Sequence, residues 1–321
     1  MYFANNNSAA LFPDAMLVVA CDHGFGNMKT PHTCFKSGVL ASDHPPVVNH
    51  DVLVYDKRYY VIGENQKEFT AMKGSDQDYY ILTLAAIAEE MKLLSLTEAR
   101  VWLAVGLPLT WVGQQKEMFR TYMLQRDHVD FTYRDEEYHV DIVGCDVYPQ
   151  GFAAVAGILS EFHGTNMLCD IGNGTMNIMY INDGKPIISK CYTEKYGVNQ
   201  CMLKVRENLL HTFGTAVDDS VIERVLRTGT ADIGAQYLSV IRDSATEYVD
   251  GIFRKLREHE YNEELMKLYI VGGGGCLVSN FGTYDANRVT INTDISATAK
   301  GYEMLAKRSL RKKEVLLYGE G

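Results

Sequence analysis

The residues best placed to do chemistry are two aspartates, Asp22 and Asp170, each closing an apolar run and opening a glycine turn. The first copy reads Met16-Leu17-Val18-Val19-Ala20-Cys21, then Asp22-His23-Gly24-Phe25-Gly26-Asn27. The second reads Met167-Leu168-Cys169, then Asp170-Ile171-Gly172-Asn173-Gly174-Thr175. Glycines at alternate positions let backbone N–H groups approach an anion with no Cβ in the way. A carboxylate directly before them would repel a phosphate, so it suits a hydrated Mg²⁺ or an attacking water. One such turn is a weak sign, because D-x-G-x-G hairpins also serve as plain turns. The aspartates stand 148 residues apart, near half the chain length. That repeat points to two similar domains, each offering a phosphate-binding hairpin to one shared cleft.

Two further features join this pair. Lys29, seven residues after Asp22, sits on the strand leaving the first turn, where it could reach back to a β-phosphate; an ordinary solvated strand lysine is the plain alternative. Leu268-Tyr269-Ile270-Val271 reads as a buried strand, and Gly272-Gly273-Gly274-Gly275 follows it directly. Four glycines after a strand let a flat ligand lie against bare backbone.

The elements that must position these residues alternate between strand and helix. After a loose extension over Met1 to Asp14, the first hairpin begins at Met16, and the polar, turn-rich stretch 36–80 suggests a small inserted subdomain. Tyr79 to Leu94 has a helical apolar face, Arg100 to Leu107 a strand pattern, Gly113 to Gln125 a helix, and Tyr138 to Val147 an alternating strand. Pro149-Gln150-Gly151 then opens an expected helix over Phe152 to Phe162, with proline suited to a helix start. Beyond the second hairpin, Lys190 to Gly197 is expected as a turn and Val198 to Thr212 as a helix. Asp218 would cap a helix over Val221 to Arg227 that Gly229 ends, and Ala235 to Glu260 forms a long amphipathic helix. Thr290 to Thr293 reads as a short strand and Asp294 to Arg308 as a helix. Its Ala297, Ala299 and Gly301 would let it cross close to another backbone.

Composition bounds the possibilities. A chain of 321 residues suggests about two domains, and 46% hydrophobic residues suffice for two cores. A net charge of −10 argues against a general nucleic-acid-binding surface. The seven cysteines are scattered and never form a C-x-x-C pair, which favours reduced core thiols over disulfides or zinc. The N-terminus lacks the pattern of a signal peptide, and no segment approaches the roughly 20 apolar residues of a membrane helix. Together these lead us to expect a soluble cytoplasmic protein with no membrane partner. The basic tail, Lys307-Arg308 and Arg311-Lys312-Lys313, is most simply a set of helix-end cations, with a DNA or filament contact as the bolder reading.

The order of D-x-G-F-G-N-x-K near the start, D-x-G-x-G-T in the middle and a glycine run near the end resembles the actin/chaperone/sugar-kinase ATPase superfamily. Within it, Asp22 to Lys29 and the modest length are most similar to bacterial and archaeal actin-like proteins of the ParM, plasmid-segregating type. The resemblance implies an α/β fold of two actin-like (ribonuclease H-like) domains around a nucleotide cleft, domain I over 1–165 plus 293–321 and domain II over 166–292. It implies an ATPase that polymerises into filaments for plasmid DNA segregation. ATP is the expected nucleotide, with GTP the alternative and Mg²⁺ the metal. Self-association is the expected partnership, with a DNA-bound adaptor protein as a second partner.

By the same resemblance Gln150 and Asp170 are catalytic, Gln150 orienting the water that attacks the γ-phosphate. Asp22 and Asp170 face the metal. Gly24, Phe25, Gly26, Asn27, Lys29, Gly172, Asn173, Gly174 and Thr175 hold phosphates. Glu194 and Lys195, with Gly272, Gly273, Gly274 and Gly275, line the adenosine. Actin itself has a serine where this chain has Phe25, and several prokaryotic relatives carry an aromatic there. Two other functions use the same hairpins: a small-molecule kinase, which needs a substrate-facing carboxylate as base, and a nucleotide-bound scaffold that hydrolyses nothing.

Overall fold

A computed structural model describes residues 16–47, 51–64 and 77–318. Over them the chain forms two sheets whose central strands are runs of apolar residues buried on both faces, the mark of strands covered by helices. The chain enters through β1 (Leu17–His23), β2 (Asn27–Lys29), β3 (Cys34–Lys36), β4 (Val39–Ser42), β5 (Val52–Tyr55) and β6 (Arg58–Ile62). It continues through α1 (Gln77–Leu93), β7 (Glu98–Leu107), α2 (Leu109–Met123), β8 (His128–Tyr133) and β9 (Glu136–Pro149). These strands make a sheet in the order β3-β2-β1-β7-β9-β8-β5-β6-β4.

The second sheet, ordered β12-β11-β10-β13-β14, uses β10 (Thr165–Ile171), β11 (Met176–Asn182), β12 (Lys185–Glu194), β13 (Lys267–Val271) and β14 (Val289–Ile291). Its helices are α3 (Val198–Phe213), α4 (Asp219–Thr228), α5 (Ala235–Glu258) and α6 (Gly275–Phe281), and the last helix of the chain, α7 (Ala297–Tyr318), packs on the first sheet instead. Among the described residues no helix is long and apolar enough to cross a membrane, and all seven cysteines are free.

The sequence repeat is a repeat of topology. In the first sheet β1 pairs antiparallel with β2 and parallel with β7, which runs parallel to β9. In the second, β10 pairs antiparallel with β11 and parallel with β13, which runs parallel to β14. Each motif aspartate therefore stands near the end of the strand that joins an antiparallel hairpin to a parallel crossover. The strands β8, β5, β6 and β4 extend the first sheet only, and β4, β5 and β6 fall within the insertion expected over 36–80. The extension over Met1 to Asp14, and residues 48–50 and 65–76 of the expected insertion, lie outside the described residues.

Helix α1 packs into the first core along nearly its whole circumference, as an apolar-all-round helix must. Thr83 on α1 donates to Tyr79 O at 2.7 Å and lies 2.8 Å from His23 Nε2, which ties the end of β1 to this helix. Helix α7 leaves the second sheet and returns to the first, lying against β1, β7 and the turn after β9. A Cβ at Gly301 would stand 2.0 Å from Ala153 O, so glycine is what permits this close crossing.

Two expectations about local structure are corrected. The stretch Phe152 to Phe162 is not one α-helix but two 3₁₀ turns, Phe152–Val155 and Leu159–Glu161. Gly157 falls at the break, α7 is seated on Ala153, and Phe162 is pulled into the core against Tyr269, ring centroids 4.0 Å apart. Lys190 to Glu194 is strand rather than turn, because β12 pairs with β11 as far as Met176 with Glu194. That non-local pairing overrides a weak local signal. The caps of α4 are as expected: Asp218 Oδ1 accepts from Ser220 N–H at 2.9 Å, and Gly229 closes the helix at φ 78°.

Candidate functional site

The site is built from two hairpins that meet tip to tip. In the first, Asp22 is registered opposite Lys29, whose Nζ lies 3.2 Å from Asp22 Oδ2. A Cβ on Gly24 would stand 2.6 Å from Asn27 O, so only glycine fits this turn. Ser37 fixes it from behind, donating its hydroxyl to Gly24 O at 2.7 Å and its N–H to Gly26 O at 3.2 Å. In the second, Gly172 N–H donates to Thr175 O at 2.8 Å. The tips face one another. A Cβ on Gly26 would lie 3.0 Å from Asn173 Nδ2, and one on Gly174 would lie 3.5 Å from the Phe25 ring. Residues 148 positions apart in sequence thus stand side by side.

Between the two aspartates runs the turn after β9. Gln150 N–H donates to Leu107 O at 2.8 Å, which fixes the backbone, and Gln150 Nε2 donates to Asp22 Oδ1 at 3.0 Å. The next residue, Gly151, has φ 69°, and a Cβ there would stand 2.8 Å from Asp170 Cβ. One dipeptide is therefore bonded to the first aspartate and packed against the second. With Nε2 engaged by Asp22, the amide oxygen of Gln150 is the group that can accept from a water.

The electrostatics follow from two carboxylates sharing one ammonium. Burial, then the charge of Asp22, pushes the Asp170 pKa up to about 7; Lys29 and a hydrogen bond from Asn177 pull against this. Burial acts against the Lys29 ammonium, yet Asp22 and Asp170 together raise its pKa above the ordinary lysine value. The cluster carries excess negative charge that a divalent cation would neutralise. Among the described residues no group of three His, Cys, Asp or Glu side chains is placed to cage a metal. Two carboxylates behind glycine turns fit a hydrated Mg²⁺ shared with phosphates, the binding style usual for that ion.

The glycine run closes a third side. Gly272 has φ 87°, and a Cβ there would stand 2.5 Å from Asp170 Oδ1. Gly274 donates its N–H to Ile171 O at 2.9 Å, and a Cβ on it would collide with Ile171 Cγ2 at 2.2 Å. A Cβ at Gly275 would come 3.1 Å from Asn292 O. Gly273 is different: a Cβ there meets nothing within 4 Å, which leaves that backbone facing open space.

Glu194 lies at the end of β12, where His259 Nε2 at 2.8 Å and Lys255 Nζ at 3.2 Å engage its carboxylate on the α5 side. Lys195 is exposed beside it. The sequence reading passed over Gly197. A Cβ on it would stand 2.4 Å from Asn173 O, and the N–H groups of Val198 and Asn199 donate to Gly172 O and Asn173 O at 3.1 and 2.9 Å. The start of α3 thus holds the second hairpin in shape. A glycine directly before a helical pattern was the available signal.

Comparison with known proteins agrees with this architecture. The model of the actin-like proteins' N-terminal domain matches residues 20–152, and that of the archaeal actin homologue MreB-like C-terminal domain matches residues 168–281. No curated protein matches the chain by sequence. Among solved structures, the archaeal actin homologue Ta0583 in complex with ADP superposes with a TM-score of 0.70 at 19% identity, over 91% of this chain and 100% of its own. Bacillus thuringiensis ParM with ATP gives 0.69 at 14% identity, over 92% and 99%. ParM from a 15-stranded Clostridium botulinum filament gives 0.70 at 17%, over 91% and 99%. At such identities these likenesses show the fold, which is actin-like.

Proposed function

The chain belongs to the actin-like proteins, and we propose that it binds ATP with Mg²⁺ between its two hairpins, hydrolyses it, and assembles into filaments. The observation that carries this reading is the placement of the Gln150-Gly151 turn, bonded to Asp22 on one side and packed on Asp170 on the other. Domain I is taken as 1–165 with 293–321 and domain II as 166–292, so the nucleotide bridges them. The glycine turns Gly24–Gly26 and Gly172–Gly174 bring bare backbone close to the phosphates, with Gly24 N–H and Gly172 N–H spent on holding the turns in shape and with Phe25, Asn27, Asn173 and Thr175 beside them. Gly273 offers a bare face to the adenosine.

Bound Mg²⁺ supplies charge neutralisation on the phosphates. The chain supplies the rest. Lys29 adds a fixed positive charge, and the glycine turns orient the polyphosphate. Gln150 is held by Asp22 so that its amide oxygen can orient a water. Asp170 is the second polar contact for that water, and its raised pKa puts its protonation under the control of the bound cation. Phosphoryl transfer needs positioning and electrostatics more than covalent help, which suits this inventory. Solved relatives described as filaments support self-assembly, and a ParM-like role in plasmid segregation through a DNA-bound adaptor is the biological setting we infer.

The test is sedimentation and phosphate release on one sample with ATP, GTP or ADP. Pelleting with ATP, and phosphate release without any added acceptor, is the expected result. Release only with a small-molecule acceptor would favour a kinase, and pelleting without release a non-hydrolysing scaffold.

A further inference from the structure

Tyr302 lies on α7 in a nest of small side chains, Ala20, Ala104, Ala153 and Ala306, and is 0% exposed. Its ring stacks on Tyr148, centroids 6.0 Å apart and planes 18° from parallel. The hydroxyl reaches the floor of the sheet over Gly106, where an added Cβ would stand 1.8 Å from Tyr302 Oη. Gly106 follows Val105, which is registered with Cys21 on β1, so the hydroxyl arrives beside the end of β1 that carries Asp22. Gly301, the preceding residue, abuts Ala153, two positions after the Gly151 that packs on Asp170. Among the described residues this hydroxyl has no hydrogen-bond partner.

Burying a hydroxyl without a partner is unfavourable, and phenylalanine would fill the same space without that cost. Packing alone therefore gives this donor no role. Burial, and then the charges of Asp22 and Asp170, hold the Tyr302 pKa well above the ordinary tyrosine value, so the group stays a neutral O–H donor. Both carboxylates bear on it, and Gln150 is bonded to one of them. A water there would find the two to four polar partners that a buried water needs.

We propose that Tyr302 is a positioning residue whose hydroxyl donates to a water held between Asp22 and Asp170, a water of the Mg²⁺–nucleotide shell. This inference rests on the reading of the cleft as a nucleotide site. It makes α7, the helix that crosses back from one sheet to the other, a direct sensor of what the cleft holds.

Tyr302→Phe tests it through binding and stability. The ligand-free variant should unfold at the wild-type temperature or above it. Its affinity for ATP with Mg²⁺ should fall about fivefold, the weight of one hydrogen bond, while its affinity for ATP in EDTA stays at the wild-type value. A structural role alone would lower the unfolding temperature or weaken both forms of ATP equally, and would overturn the proposal. Equal Mg·ATP affinity in the two proteins would overturn it as well, with the nucleotide reading intact. A wild-type chain that binds no Mg·ATP would instead remove the nucleotide reading, and the inference would fall with it.

Discussion

Gln150 donates its side-chain amide to Asp22 across 128 positions of sequence, Nε2 to Oδ1 at 3.0 Å, and this bond joins the turn after β9 to the first glycine hairpin. It leaves the amide oxygen as the acceptor of that side chain, which under the proposed function is the group that would orient the attacking water.

Gln150→Ala should therefore separate binding from chemistry. Its affinity for Mg·ATP should stay near wild type, and phosphate release should slow about tenfold or more, equivalent to about 1.4 kcal/mol at the barrier. If disassembly needs hydrolysis, its polymers should also outlast the wild type's in a turbidity trace. Normal phosphate release from this variant would reduce Gln150 to a structural residue.

Asp170 makes stability depend on pH. Its folded pKa of about 7 lies above the ordinary carboxylate value of 3.8, so the folded chain holds a proton that the unfolded chain has lost. The stabilisation is complete below about pH 4 and is lost as pH rises through 7. In thermal unfolding without nucleotide, this contribution should appear as a fall in melting temperature between about pH 4 and 7, and Asp170→Asn should flatten the profile. Identical profiles for the two proteins would show that Asp170 is not the titrating group.

The glycine run offers an internal control. Gly274→Ala drives a Cβ against Ile171 Cγ2 at 2.2 Å and should destabilise the fold by about 1–3 kcal/mol. Gly273→Ala meets nothing within 4 Å, so its stability should stay within about 0.5 kcal/mol of wild type while nucleotide affinity falls. Chemical denaturation beside a nucleotide titration reads both, and a Gly273→Ala variant with full affinity would move the adenosine elsewhere.

What the sequence made legible was whatever local pattern encodes. Apolar strands ending in Asp and alternate glycines marked both hairpins, and an apolar strand running into four consecutive glycines, Leu268 to Gly275, marked the third wall. The closeness of Gln150 to Asp22 is a tertiary fact, and only family resemblance hinted at it. Tyr302 was invisible for a different reason. An aromatic residue amid alanines in a helix reads as core, and its hydroxyl gains meaning only once Gly106 and Asp22 are placed beside it. The strand at Lys190 to Glu194 was hidden because its evidence is the partner β11, not its own residues. The partners of Glu194, His259 and Lys255, were equally hidden, because they come from the far end of α5.

The central claim is that the two hairpins hold one nucleotide between them. Calorimetric titration of the ligand-free chain with Mg·ATP, under conditions that suppress assembly, tests it most directly when repeated on Asp22→Ala and Asp170→Ala. The account predicts one nucleotide per chain for the wild type and a large loss of Mg·ATP affinity in each variant, although the two positions lie in different halves of the sequence. Two nucleotides per chain, or wild-type affinity in either variant, would contradict it.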